Sequence, residues 1–184
     1  MPSRANARKK LSSQASNLLA QLARKQAGPR RCIQPVGIIG PGDGSGRECL
    51  GAYEVASALA KAGISIICGG RGGVMEAASR GASIAGGVAV GILPEEDLSG
   101  ANRYLTIGIP TGMGEMRNAV IARSSVCLIA IGGGMGTISE IALGLKWGKP
   151  IFALYQDVKI PGTKFARGVD QLLEWAAGWL IEKQ

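Results

Sequence analysis

The sequence predicts a doubly wound α/β fold, a mostly parallel sheet flanked by helices. Three observations carry this. Short uncharged apolar runs alternate with longer helical periodicities along the chain, the pattern of strand–helix–strand units. These runs are apolar at almost every position, as strands covered on both faces must be. Glycine reaches 29 of 184 residues, about twice the ~7 % of ordinary chains, and it gathers where runs end and helices begin. Apolar residues make up 46 % and aromatics only 4 %, so the core has to be built from Ala, Val, Ile and Leu.

Residues 1–34 are expected as a basic, flexible leader containing a helix over Ser13 to Gln26, with Leu18, Leu19 and Leu22 on one side. Arg4, Arg8, Lys9, Lys10, Arg24, Lys25, Arg30 and Arg31 supply the whole formal net charge of +8, because the 13 basic and 13 acidic residues from Pro35 onward cancel. Such a leader suits an organelle transit peptide, a tail for anionic partners or an extension with no specific task. Nucleic-acid binding is not expected of the neutral remainder, residues 35–184, which are read as one ligand-binding domain.

The first strand, Val36 to Ile39, enters Gly40-Pro41-Gly42-Asp43-Gly44-Ser45-Gly46, and a helix follows over Arg47 to Lys61. Asp43 and Ser45 suit a turn and a helix cap as well as they suit a ligand contact. Strand two, Ile64 to Cys68, opens into Gly69-Gly70-Arg71-Gly72-Gly73, and a helix covers Val74 to Ala85. Arg71 has little to pack on among four glycines, so it is expected to meet an anion. Strand three spans Val88 to Leu93. The polar stretch Glu95 to Asn102 is expected as a solvated loop, strand four as Tyr104 to Ile107, and a turn as Pro110 to Gly114, including Gly112. A helix is expected over Glu115 to Arg123.

The centre of the pattern is Ser125 to Ile131 followed by Gly132-Gly133-Gly134-Met135-Gly136-Thr137 and a helix to Trp147. A buried strand, a glycine loop and a helix start leave backbone N–H groups and the positive end of a helix dipole facing one spot, which suits a phosphate. The strand Ile151 to Leu154, a loop with Pro161-Gly162 and a helix over Val169 to Glu182 complete the chain.

In this architecture every strand-to-helix loop lies on one sheet edge. Glycine clusters fill the loops after strands one, two, four and five, whereas helix-to-strand turns carry only Gly63, Gly86, Gly87 and Gly148. A ligand cradle is therefore expected at the strand C-termini, from Gly42, Asp43, Ser45, Gly69, Gly70, Arg71, Gly72, Gly112, Gly133, Gly134, Met135, Gly136 and Thr137.

Several classes drop out. The first glycine loop is not the dinucleotide fingerprint, and Cys68 stands where a ribose-binding acid belongs, so no NAD site is expected. No glycine loop ends in Gly-Lys-Ser or Gly-Lys-Thr, which disfavours a nucleotide triphosphatase. Cys32, Cys49, Cys68 and Cys127 show no close-pair spacing and histidine is absent, so neither zinc nor another resident metal is expected. Scattered cysteines suit buried small hydrophobes in a reducing, cytoplasmic setting. No run approaches the ~18 apolar residues of a membrane span.

Gly69-Gly70-Arg71-Gly72-Gly73-Val74-Met75-Glu76-Ala77, then Arg117, then Gly133-Gly134-Met135-Gly136-Thr137-Ile138-Ser139-Glu140 resembles the Rossmann-like superfamily of the "lonely guy" cytokinin-activating phosphoribohydrolases, often misnamed lysine decarboxylases, and the molybdenum cofactor carrier proteins. For the hydrolase branch, the resemblance implies a 5′-phosphate on Gly133, Gly134, Gly136 and Thr137, with Arg117 and Glu140 as the catalytic pair. Carboxylates do serve glycosyl cleavage in this way. Two positions depart from that branch: Gly132 stands where it has Pro, and Asn118 where it has Lys. Ala122-Arg123-Ser124-Ser125 and the helix after Glu140 look more like the carrier branch. The resemblance therefore implies a carrier of the molybdenum cofactor, a phosphorylated pterin held as cargo, in a homodimer or tetramer. The alternative is a nucleoside 5′-monophosphate phosphoribohydrolase. Arg117 and Glu140 would also suit a structural ion pair near a helix end.

Overall fold

The structure is a computed structural model that describes residues 11–183; Arg4, Arg8, Lys9 and Lys10 of the expected leader lie outside the described residues. The strands are β1 (Val36–Ile39), β2 (Ile66–Cys68), β3 (Ala89–Leu93), β4 (Ile107–Pro110), β5 (Leu128–Ile131), β6 (Ile151–Leu154) and β7 (Lys164–Phe165). The helices are α1 (Ser13–Gln26), α2 (Gly46–Lys61), α3 (Val74–Ile84), α4 (Arg117–Ser124), α5 (Met135–Lys146) and α6 (Val169–Lys183). All neighbouring strands pair in parallel, in the order β4-β3-β2-β1-β5-β6-β7.

Side chains alternate across the sheet with the period of two that a strand imposes. Ile38, Ile66, Ile129, Ile131, Phe152 and Leu154 join the core beneath α1, α2, α3 and α6. Their sequence neighbours Ile39, Ile67, Leu128, Ala130, Ile151 and Ala153 join the core beneath α4 and α5. Both faces are dry, which is why β1, β2, β5 and β6 read as unbroken apolar runs.

The described part of the leader corrects the expectation of a flexible extension. Ala15 and Leu22 of α1 are fully buried, with Leu18 and Leu19 packed beside them. Spacings of three, four and seven put these residues on one face. The helix is fastened to α6 by polar contacts. Ser12 donates from its backbone N–H to Asp170 Oδ1 (3.1 Å) and from its hydroxyl to Glu174 Oε1 (2.8 Å), and Lys25 Nζ donates to the Ile181 carbonyl (2.6 Å). These partners are more than 150 positions away, so local sequence gives no sign of them.

Several boundaries also differ from expectation; β2 begins at Ile66 rather than Ile64, and β5 at Leu128 rather than Ser125. β4 begins at Ile107 rather than Tyr104. Leu105 turns inward against Gly70 and Gly91, and pairing with β3 starts only after Thr106, whose hydroxyl accepts from the Ala89 N–H at 3.0 Å. The expected helix at 115–123 divides into a 3-10 turn, Gly114–Met116, and α4. β7 is short and half polar, and has no hydrophobic run to announce it.

Candidate functional site

In a doubly wound sheet the crevice opens where the strand order reverses, outside the strand C-termini. Here that point lies between β1 and β5. A cleft of about 390 Å³ occupies it. Gly40, Pro41 and Gly42 come from the loop after β1, and Gly69, Arg71 and Gly72 from the loop after β2. Helix α4 brings Arg117 and Asn118, and the start of α5 brings Gly134, Gly136, Thr137 and Glu140.

The α5 start has no side-chain cap: Gly134 occupies the capping position and supplies no acceptor. The first backbone N–H groups of the helix are thus left for a ligand. By contrast, Ser45 caps α2 in a closed capping box. Its hydroxyl accepts from the Glu48 N–H (3.3 Å) and its own N–H donates to Glu48 Oε2 (2.6 Å).

Arg117 is 5 % exposed, yet its Nε is buried without a hydrogen-bond partner. Its guanidinium lies over Gly69, where a β-carbon would collide with it and with the Met75 sulfur. Only glycine leaves that space. The ion pair considered between Arg117 and Glu140 is not formed; among the described residues the ion pair present joins Arg71 Nη2 to Glu95 Oε1 at 2.8 Å. Arg71 accordingly stands at the rim, held by an acid from the stretch expected as a solvated loop.

Glu140 is 6 % exposed. Burial pushes its carboxyl up to about 8, against the opposing pull of Arg117 and with a further push from Glu115. At neutral pH the group is mainly a neutral acid and a hydrogen-bond donor. The folded state therefore holds a proton that the unfolded chain releases from about pH 4.5 upward, so Glu140 lowers stability progressively as pH rises from there to about 8. Glu140→Gln is expected to raise Tm by roughly 10 °C or more at pH 8 and to change it little near pH 4.5. Thermal unfolding followed across that range checks the sign, and a mutant less stable at pH 8 would contradict it.

Asn118, where the hydrolase-like motif has Lys, is 6 % exposed. Its Nδ2 donates to Ser139 Oγ (3.1 Å), which donates to the Gly136 carbonyl (2.7 Å). The chain braces the glycine loop from beneath.

Of the residues expected in the cradle, the cleft gathers Gly42, Gly69, Arg71, Gly72, Gly134, Gly136 and Thr137, with Arg117 and Glu140. Six lie off it. Asp43 is exposed in the turn before α2, and Ser45 serves the capping box. Gly70 faces inward against Gly91 and Leu93, Gly112 sits beside Glu96, and Gly133 beside Gln156. Met135 points outward, 81 % exposed. Met116, in the 3-10 turn before α4, is likewise 72 % exposed. Gly40, Pro41, Met75 and Glu115 line the cleft without having been singled out. Gly40 and Pro41 directly follow β1, and the pairing of β1 with β5 was the signal that would have found them.

The model of the SLOG cluster4 family matches residues 34–174. An uncharacterized protein of Archaeoglobus fulgidus is 44 % identical over 133 residues, 72 % of this chain and 87 % of that protein. A cytokinin riboside 5′-monophosphate phosphoribohydrolase of Arabidopsis thaliana is 33 % identical over 112 residues, 58 % of this chain and 49 % of the plant protein. Among solved structures, the molybdenum cofactor binding protein of the phototrophic bacterium Rippkaea orientalis superposes with a TM-score of 0.76 at 33 % identity, covering 80 % of this chain and 98 % of that one. The molybdenum cofactor carrier protein of Chlamydomonas reinhardtii gives 0.71 at 30 % identity, covering 82 % and 99 %.

Proposed function

The chain belongs to the SLOG cluster4 family, and from that membership and the cleft at the β1–β5 switch point we propose that it is a carrier of a phosphorylated pterin, the molybdenum cofactor, held without being transformed. The observation that carries this reading is the buried Arg117 guanidinium, whose Nε has no partner in the protein, aimed into a cleft beside an uncapped helix start. An unpaired buried donor is costly unless a ligand completes it.

The chain's own groups suggest a division of labour. The backbone amides at Gly136 and Thr137 and the Arg117 fork take the phosphate, whose charge suits both. Glu140, neutral near pH 7, donates a hydrogen bond where a carboxylate would repel the anion. The Asn118–Ser139 brace fixes the loop so that little ordering is left for the moment of binding.

The competing reading is hydrolysis of a nucleoside 5′-monophosphate, favoured by the retention of Arg117 and Glu140 together. The Arabidopsis relative, however, is matched over only about half its length. Two solved structures named for molybdenum cofactor are covered almost completely, which supports the carrier reading.

Incubation with AMP and other nucleoside monophosphates, followed for free base, separates the two. The expected result is no turnover together with saturable binding of molybdenum cofactor. Release of base by the wild type, abolished in Glu140→Gln, would replace the carrier with a phosphoribohydrolase.

A further inference from the structure

A second cleft, of about 500 Å³, opens on the same sheet edge between β6, β7 and the start of α2. Its volume falls in the range of small-molecule sites, and its lining differs in kind from that of the first. Arg47, Lys159 and Arg167 face it together with a single acid, Asp157, and none of the four is in an ion pair among the described residues. Three cations against one anion leave an unbalanced positive surface in a concavity, where field lines concentrate.

The wall between the charges is aromatic. The chain has three Trp, three Tyr and two Phe, and Tyr155 and Phe165 both line this cleft. Tyr155 has a φ of 59°, the one positive value outside glycine among the described residues, at a position where a tyrosine is a genuine outlier. Backbone strain of this kind persists where surrounding structure enforces it, and it gathers at ligand sites. The Arg47 guanidinium stacks 4.0 Å from the centre of the Tyr155 ring. Stacking fixes the plane of the fork while its edge donors stay available for an anion.

We propose that the cleft formed by Arg47, Tyr155, Lys159, Phe165 and Arg167 is a second binding site, for a nucleoside phosphate. The cations match two or more phosphate charges, and Phe165 offers a flat apolar surface to the base. The site stands on its own residues and does not depend on what the first cleft carries. It is nonetheless connected to that cleft. Gln156, which lines the second cleft, donates from Nε2 to the Gly132 carbonyl, and its side chain lies against Gly133. A nucleotide seated beside Gln156 therefore bears on the loop that leads into α5.

Calorimetric titration of the full chain with ADP and with inorganic pyrophosphate tests this. Arg117→Gln serves as the background, so that phosphate binding in the first cleft is suppressed. In that background ADP is expected to bind with one-to-one stoichiometry and at least about tenfold more tightly than pyrophosphate, because the base contributes. Adding Lys159→Gln and Arg167→Gln, both at exposed positions, is expected to weaken ADP at least about tenfold. Arg47→Lys keeps the charge but loses the stacked fork, and should weaken it by an intermediate factor. The proposal is overturned if ADP does not bind in the Arg117→Gln background, or if the double substitution leaves its affinity within about twofold. Pyrophosphate binding as tightly as ADP would remove the nucleoside from the assignment.

Discussion

Arg117→Ala is expected to lower affinity for the proposed phosphorylated ligand at least about 30-fold while leaving Tm unchanged or higher. The two halves of this result come from one observation. Arg117 is almost completely buried, and its Nε finds no acceptor within the protein. In the free protein it therefore contributes desolvation cost without a compensating bond, and removing it relieves that cost. In the proposed complex the same group makes charge-assisted bonds to phosphate, and losing such a bond typically costs about 2–5 kcal/mol, or roughly 30- to several-thousand-fold. Arg117→Lys should recover part of the affinity, since a point charge remains but the two-pronged geometry does not. Titration with molybdenum cofactor or AMP, alongside thermal unfolding, reads both halves. A large fall in Tm with little change in affinity would make Arg117 a structural residue.

Gly132→Pro is expected to cost about 3 kcal/mol or more and to lower Tm by about 6–12 °C, even though it restores the residue of the hydrolase-like motif. Gly132 has a φ of +66°, and proline is confined near −65°. The Gly132 N–H also donates to the Leu154 carbonyl at 2.9 Å, tying the end of β5 to β6, and proline has no N–H to give. A β-carbon there would in addition collide with the Glu48 carboxylate that closes the α2 capping box. Gly132→Ala keeps the N–H and should cost less, about 1–2 kcal/mol for the left-handed conformation apart from the shift forced on Glu48. A folded Gly132→Pro protein with the wild-type Tm would mean that the loop can adopt the conformation a proline requires. The departure at this position is thus a different backbone path into the glycine loop, which a one-residue comparison of motifs does not reveal.

The sequence by itself determined the fold class and pointed to most of the residues that line the cleft at the β1–β5 switch point. Unbroken runs such as Val36–Ile39 and Ile151–Leu154 identify themselves because both faces of those strands are buried. Glycines after β1, β2 and β5 mark the edge where the cleft opens, because close backbone approach there tolerates nothing larger. Tertiary structure alone decided which residues of the glycine loops meet. Gly42 and Gly72 reach one cleft while Gly70 and Gly112 turn elsewhere, since strand order and loop path set direction and neither is local. It alone docked α1 on α6 through Asp170 and Glu174. It also made Glu140 a neutral acid rather than half of an ion pair, because protonation follows burial and the positions of charges brought together from distant segments. Finally, it gathered Arg47, Tyr155 and Arg167 around one cleft. Spread over 120 positions, with no shared motif, they become a charged aromatic surface only when α2 and the end of the sheet come together.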